Sequence, residues 1–257
     1  MSFKLGGVDT ATLAGVDATL QDWPSLGGLS VEAVDLPAGG RFFGGSYFSR
    51  SAFEFLVDIS GPSPAETLAR QRQFIGLLDP GRGPRALAVE GFEDWVWRDV
   101  IVTGEINWSR LYWLQGVGYK LTATVTLETV GGAPEARESS PVSVSWAAPT
   151  AGVTVTLDKG NTASYPTLEI ASGLSKTITV GAWSLVLAAT PGSLTNVLDY
   201  DNFDFYQRNA AGDRVRSLVP YMAHFDRPRL ELGVATPVTV EGGSTGSRRI
   251  YLNARLK

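Results

Sequence analysis

Residues 51–60 read SAFEFLVDIS, and within them Phe53, Phe55, Val57 and Ile59 alternate with Ala52, Glu54, Leu56 and Asp58. A strand turns successive side chains to opposite faces, so this period of two predicts a strand with one wholly apolar face and one mixed, partly covered face. The period then changes. In GPSPAETLARQRQFIGLLDPG (61–81), Ser63 stands as a helix N-cap, Pro64 in the first helical position and Glu66 three residues after the cap. Leu68, Phe74, Ile75 and Leu78 supply apolar positions roughly on one side, Arg70, Gln71 and Arg72 can face water, and Asp79-Pro80-Gly81 stops the run. The reading is one long helix, about 64–78, following a strand of a β domain.

Working outward, further strands are expected at 85–90, 95–102, 105–114 and 119–129, the last (YKLTATVTLET) alternating cleanly. Trp95, Trp97, Trp108, Tyr112 and Trp113 all fall here. Large aromatics anchor cores and subunit interfaces more often than they serve as sugar platforms, so these five are the candidate subunit-interface residues. GGAPEARESSP (131–141) reads as a long loop or linker. Beyond residue 148 short strand-like runs follow one another: VTVTLD, YPTLEIAS, KTITV, WSLVLA, NVLDYD, FDFYQR, RVRSLV, RLELGV, PVTVEG and RRIYLNARL, with Asn209–Asp213 as a hairpin loop. That spacing is the signature of a β-sandwich or jelly roll. The expected organisation is mainly β, with an N-terminal sandwich or split barrel carrying the helix (1–147) and a C-terminal sandwich (148–257).

A chain of 257 residues accommodates two such domains. The net charge is −4 and no basic run exceeds Arg248-Arg249, which disfavours a nucleic-acid binder, because phosphate neutralisation supplies most of such affinity. With no cysteine, neither a disulfide frame nor a thiolate metal site is available, and the chain can fold in a reducing cytosol and work elsewhere. MSFKLGGVDTATLAG lacks the basic start and apolar core of a signal peptide, and no stretch is apolar enough to span a bilayer.

The search for chemistry yields little. The single histidine, His224, has Asp226 nearby, but no serine sits in a G-x-S-x-G elbow. Asp199-Tyr200-Asp201-Asn202-Phe203-Asp204 invites a calcium reading, yet the fifth, sixth and twelfth loop positions hold Phe203, Asp204 and Ala210, which defeats an EF-hand. Gly173-Leu174-Ser175-Lys176-Thr177 matches a phosphate loop only superficially, and Asn107-Trp108-Ser109 is a chance-level glycosylation pattern. No enzyme, cofactor or metal is expected.

One resemblance organises the rest. In DKGNTASYPTLEI (158–170), Gly160, Asn161, Tyr165, Pro166, Glu169 and Ile170 stand where the distal tail protein family of long-tailed phages places a turn and the first strand of its second domain. Asp158 departs from the family's usual asparagine, mildly, since either side chain can cap a turn. Leu198-Asp199 and Leu232-Gly233 resemble later points of that pattern, the latter without the usual following asparagine, and DLPAGGRFFGG (35–45) resembles an N-terminal loop more weakly. The resemblance implies a ring-forming first domain and a galectin-like second domain. It further implies a hexameric ring at the distal end of the tail tube, with tube and tail-tip hub as partners and DNA crossing the lumen in transit. Location in the virion tail tip, assembly in the host cytoplasm and no membrane insertion complete that expectation. An alternative is that the sandwich at 151–257 binds a host surface sugar, with Trp183, Tyr200 or Tyr206 as stacking platforms.

Overall fold

The structure, a computed structural model, describes residues 2–22, 29–35, 41–48, 50–130, 135–147, 150, 152–242 and 246–256, for 29–35 and 41–48 the backbone alone. It divides into two compact units: residues up to Ser139 with Leu256, and Ser140–Arg255.

The first unit contains β1 (Phe3–Leu5), β2 (Val8–Asp9), β3 (Val16–Leu20), β4 (Leu29–Asp35), β5 (Arg41–Phe48) and β6 (Ala52–Gly61), then α1 (Pro64–Leu78). After the helix come β7 (Arg85–Val89), β8 (Trp95–Thr103), β9 (Ser109–Leu114), β10 (Gly118–Thr129) and β11 (Ala136–Glu138). Strands β4 and β5 pair with each other; residues 36–40 of the DLPAGGRFFGG resemblance lie outside the described residues. The other strands join one antiparallel sheet in the order β2-β1-β7-β8-β10-β6-β3, with β9 beside the start of β10 and β11 beside β8.

The alternation in β6 is realised as read: Phe53, Phe55, Val57 and Ile59 are at most 1% exposed. Across the β6–β10 ladder they face Leu127, Val125, Ala123 and Leu121, all buried on the same side. Helix α1 lies on this layer through Phe74, Leu77 and Leu78, and Phe3 closes it with its ring 4.4 Å from that of Phe55. The start of α1 also follows from local chemistry, the Ser63 hydroxyl accepting from the Glu66 N–H at 3.2 Å. One expectation about the helix changes. Its buried row is Thr67, Phe74, Leu77 and Leu78, while Leu68 and Ile75 are 40% and 44% exposed. The helix is rolled about its axis so that the row of Thr67, Phe74 and Leu78 meets the sheet and its neighbours turn outward. The strand expected at 105–114 begins only at Ser109.

The second unit contains β12 (Ser143–Ala147), β13 (Gly152–Thr156), β14 (Thr167–Gly173), β15 (Lys176–Val180), β16 (Trp183–Leu187) and β17 (Thr190–Asp199). It continues with β18 (Asp204–Arg208), β19 (Arg214–Ser217), β20 (Ala235–Glu241) and β21 (Ser247–Tyr251). They form two antiparallel sheets, β12-β21-β14-β17-β18-β19 and β13-β20-β15-β16, the arrangement of a β-sandwich. Because β12 pairs with β21 from Ser143↔Tyr251 to Ala147↔Ser247, the second unit starts at Ser140, ahead of the division at 148 that composition suggests. RLELGV is not a strand: Leu230 and Leu232 make isolated bridges to Ser164 and Leu157. The Asn209–Asp213 loop forms as expected, closed by the Asn209 N–H on the Asp213 carbonyl at 3.0 Å.

Candidate functional site

In the first unit, the five aromatic candidates separate into two groups. Trp97 is fully buried, packed edge-on to Phe53 at 4.8 Å and Phe92 at 5.8 Å, and so is a core residue with no surface to offer a partner. Trp95 and Trp108 are half-buried against the same core, Trp108 standing perpendicular to Phe74 at 6.2 Å. Tyr112 and Trp113 lie on β9, where Trp113 meets Tyr119 at 4.9 Å and carries the Arg110 guanidinium over its ring at 5.2 Å.

The surface that sequence reasoning missed is aliphatic. Leu111, Leu114 and Val117 are 59%, 57% and 71% exposed, alongside a partly exposed Tyr112. Strand β9 thus carries apolar side chains on both faces, with only Trp113 partly covered; the signal was the loss of alternation in SRLYWL. Among the described residues β9 pairs only with β10 and β3 only with β6, so this part of the sheet has two open edges. Between α1 and the end of β8 runs an apolar groove of about 680 Å³, bounded by Arg72, Ile75, Val102, Ile106 and Trp108.

The solvent face of β3, β6 and β10 has a different character. It presents Asp17, Thr19, Glu54, Asp58, Lys120 and a row of threonines from β10. Lys120 is bound to Asp58 at 2.7 Å. Partial burial works against ionisation of Asp58, but hydrogen bonds from Lys120 and Thr122 outweigh it and hold its carboxyl below the ordinary carboxylate range. The positive charge on this face is thereby neutralised and the remaining carboxylates leave it acidic.

In the second unit, the DKGNTASYPTLEI stretch builds a node around Arg255. Gly160 has φ +87, and a Cβ there would fall against the Arg255 carbonyl, so the two backbones approach as only glycine allows. The Asn161 N–H donates to that carbonyl at 3.1 Å. Tyr165 lies under the Arg255 guanidinium at 5.0 Å, and the guanidinium is buried against Asp201, with Nε 3.2 Å from Oδ1. Glu169 pairs with Arg208 at 2.7 Å. The acidic run is consumed by such contacts: Asp199 accepts from Thr167 and Asn202, Asp201 from Arg255, and Asp204 from Arg214. Among the described residues no three His, Cys, Asp or Glu side chains group as metal ligands.

The three expected stacking aromatics are differently placed. Tyr200 is fully buried, so it cannot meet a sugar; among the described residues its hydroxyl has no hydrogen-bond partner, and burial drives its pKa strongly upward. Trp183 donates its indole N–H to the Asp226 carbonyl at 3.0 Å and meets Tyr200 and His224 edge-on. Tyr206 carries Arg214 over its ring at 5.0 Å. His224 accepts the Asp226 N–H at Nδ1, which leaves Nε2 to donate to the Ser184 carbonyl at 2.7 Å. With Ala188 N–H on the Tyr221 carbonyl and Ala223 N–H on that of Val186, the imidazole completes a strap along the outer edge of β16. Its partner is a backbone carbonyl, not a serine hydroxyl.

No family model and no curated protein matches the chain. Solved structures do. The Dit protein (gp 19.1) of phage SPP1, described as a paradigm of the hub adsorption apparatus in phages infecting Gram-positive hosts, superposes with a TM-score of 0.71 at 12% identity, covering 99% of this chain and 98% of that one. Chains of the phage P2 baseplate in its activated conformation with calcium (TM-score 0.48, 8% identity, 100% and 98% covered) and of the phage p2 baseplate with strontium (0.46, 10%, 97% and 97%) are more distant. The chain has the fold of a phage distal tail protein, as the DKGNTASYPTLEI resemblance implied.

Proposed function

We propose that this chain is a structural subunit of the tail tip of a long-tailed phage. Copies of it, six by the family resemblance, close into a ring that joins the tail tube to the tip hub and lets DNA pass through its lumen. The observation that carries the reading is the likeness to the SPP1 protein over nearly the whole of both chains. The geometry of the first unit supports it. A closed ring uses two different patches on each subunit, and the open edges of β3 and β9 are two such patches on one sheet. The apolar, two-sided exposure of β9 is what a strand covered by a neighbouring copy presents when alone. The acidic, hydroxyl-rich face of β3, β6 and β10 suits a lumen, because it offers passing phosphates no row of cations to release counterions against. We assign the chain no reaction and place it in the virion tail, assembled in the host cytoplasm.

The test is the mass of the purified chain by native mass spectrometry and light scattering, with negative-stain imaging. The expected result is a closed oligomer for the natural sequence and a folded monomer for Leu111→Asp with Leu114→Asp, since both side chains are exposed in the single chain. A chain that stays monomeric at every concentration, and ignores tube and hub proteins, would overturn the reading.

A further inference from the structure

The second unit holds four planar groups in a stack: Arg255, Tyr165, Arg227 and Phe203. Arg255 lies 5.0 Å from the Tyr165 centroid; Arg227 lies 5.3 Å from that of Tyr165 and 4.6 Å from that of Phe203. The two arginines differ in what their N–H groups do. Those of Arg255 are buried against Asp201, whereas those of Arg227 are exposed and, among the described residues, make no hydrogen bond or ion pair. Two carboxylates of these segments are engaged elsewhere, Asp201 meeting Arg255 and Asp199 accepting from Asn202, while that of Asp226 is exposed to solvent.

A guanidinium carries its donors in its own plane. Two rings packed against the Arg227 guanidinium, together with its exposure, hold it in place and remove rotamer freedom that binding would otherwise have to freeze. Phe203 is itself held in place at φ +56, a conformation bulky side chains avoid, by a turn in which the Asn202 N–H and side-chain amide both donate to Asp199, at 3.0 and 2.7 Å. Phe203 and Phe225 are 45% and 41% exposed, and the buried Phe205 lies under both, with centroids 5.1 and 6.1 Å away. The result is a pre-set guanidinium against Phe203, with the exposed Phe225 joined to Phe203 through the shared contact with Phe205.

We propose that Arg227, Phe203 and Phe225 form a binding surface for an anionic saccharide, one bearing a phosphodiester or a carboxylate. The fork takes two oxygens of the anion side by side, and the phenyl rings take the C–H face of the sugar. An acidic protein side chain would use the fork but leave both rings bare; a charged sugar presents an anion and an apolar face together. The sugar-contacting role thereby falls not to Trp183, Tyr200 and Tyr206 but to residues on the loops after β17 and before β20.

The experiment is titration calorimetry on the full chain with four probes: a poly(glycerol phosphate) oligomer, a glucuronate-containing hyaluronan tetrasaccharide, uncharged maltotetraose and a poly-glutamate peptide. Binding of one or both anionic saccharides but not of maltotetraose is expected, and which one binds identifies the anion. Arg227→Gln and Arg227→Lys should each weaken binding on the order of tenfold, lysine failing because it is a point charge without a fork. Phe225→Ala should also weaken it, while Arg216→Gln, at an exposed arginine on β19, should not. Unaltered binding by a folded Arg227→Gln, silence of both anionic saccharides, or poly-glutamate binding as tightly as the sugars would overturn the proposal. Native mass on the same samples reads the ring separately, so the two readings can fail independently.

Discussion

Gly160 offers a sharp test of the Arg255 node when compared with Gly212. Both have positive φ, +87 and +94, but a Cβ at Gly212 meets nothing within 4 Å whereas one at Gly160 lands on the Arg255 backbone. Gly212→Ala should therefore cost only the left-handed conformation of an alanine, about 1–2 kcal/mol. Gly160→Ala carries the same strain and must also push Arg255 away. That displacement removes the hydrogen bond from the Asn161 N–H, about 1 kcal/mol net. It also loosens a buried arginine–aspartate pair whose outright loss would cost roughly 3–5 kcal/mol. Taking only part of the last contribution, Gly160→Ala should destabilise by roughly 4 kcal/mol, lowering the unfolding midpoint of the second unit by on the order of 10–20 °C. Calorimetric and urea unfolding of both variants beside the natural sequence would measure it. Equal losses at the two positions would refute the reasoning, because the close approach would then contribute nothing beyond strain.

Two further substitutions have expected signs opposite to the usual ones. Tyr200→Phe should leave stability unchanged or raise it by up to ~1 kcal/mol in thermal unfolding, since it removes a buried hydroxyl with no partner among the described residues; a loss of that size would reveal a hydrogen bond. Lys176 is 2% exposed, its ammonium donates to the Leu174 carbonyl, and burial first, with Arg248 second, pulls its pKa down. Between its lowered folded pKa and the ordinary lysine value of ~10.4 the unfolded chain binds more protons, so this residue makes stability rise with pH across that window. Lys176→Met should abolish that rise and be as stable or more so, by up to ~2 kcal/mol near neutral pH; urea unfolding across a pH series would show a steeper rise if the reasoning is wrong.

What was legible in the sequence was what neighbours along the chain decide. Ser63, Pro64 and Glu66 mark the helix start because capping is settled within one turn, and Phe53 to Ile59 mark a buried face because pleating is local. What was illegible depends on partners far away. Trp97 and Tyr112 belong to equally aromatic strands, yet one is roofed by Phe53 and Phe92 while the other lies on a strand with, among the described residues, a single neighbour. The membership of β12 is decided by β21, and the roll of α1 that exposes Leu68 and Ile75 by the sheet beneath it. The Arg227 stack draws on Tyr165, Phe203 and Arg227, three segments no motif would join; the aromatics singled out instead are occupied by the core or by their own contacts.

The assignment of Leu256 to the first unit has a consequence for how the chain is made. Its side chain packs on the core that contains Phe53 and Trp97, yet 140–255 belong to the other unit. A ribosome must synthesise that whole stretch before Leu256 emerges. Domains fold as units as they leave the ribosome. The second unit therefore has every residue it needs while the first still waits for one of its own. Leu256→Asp should consequently weaken the first unit, although the residue follows the whole of the second unit in sequence.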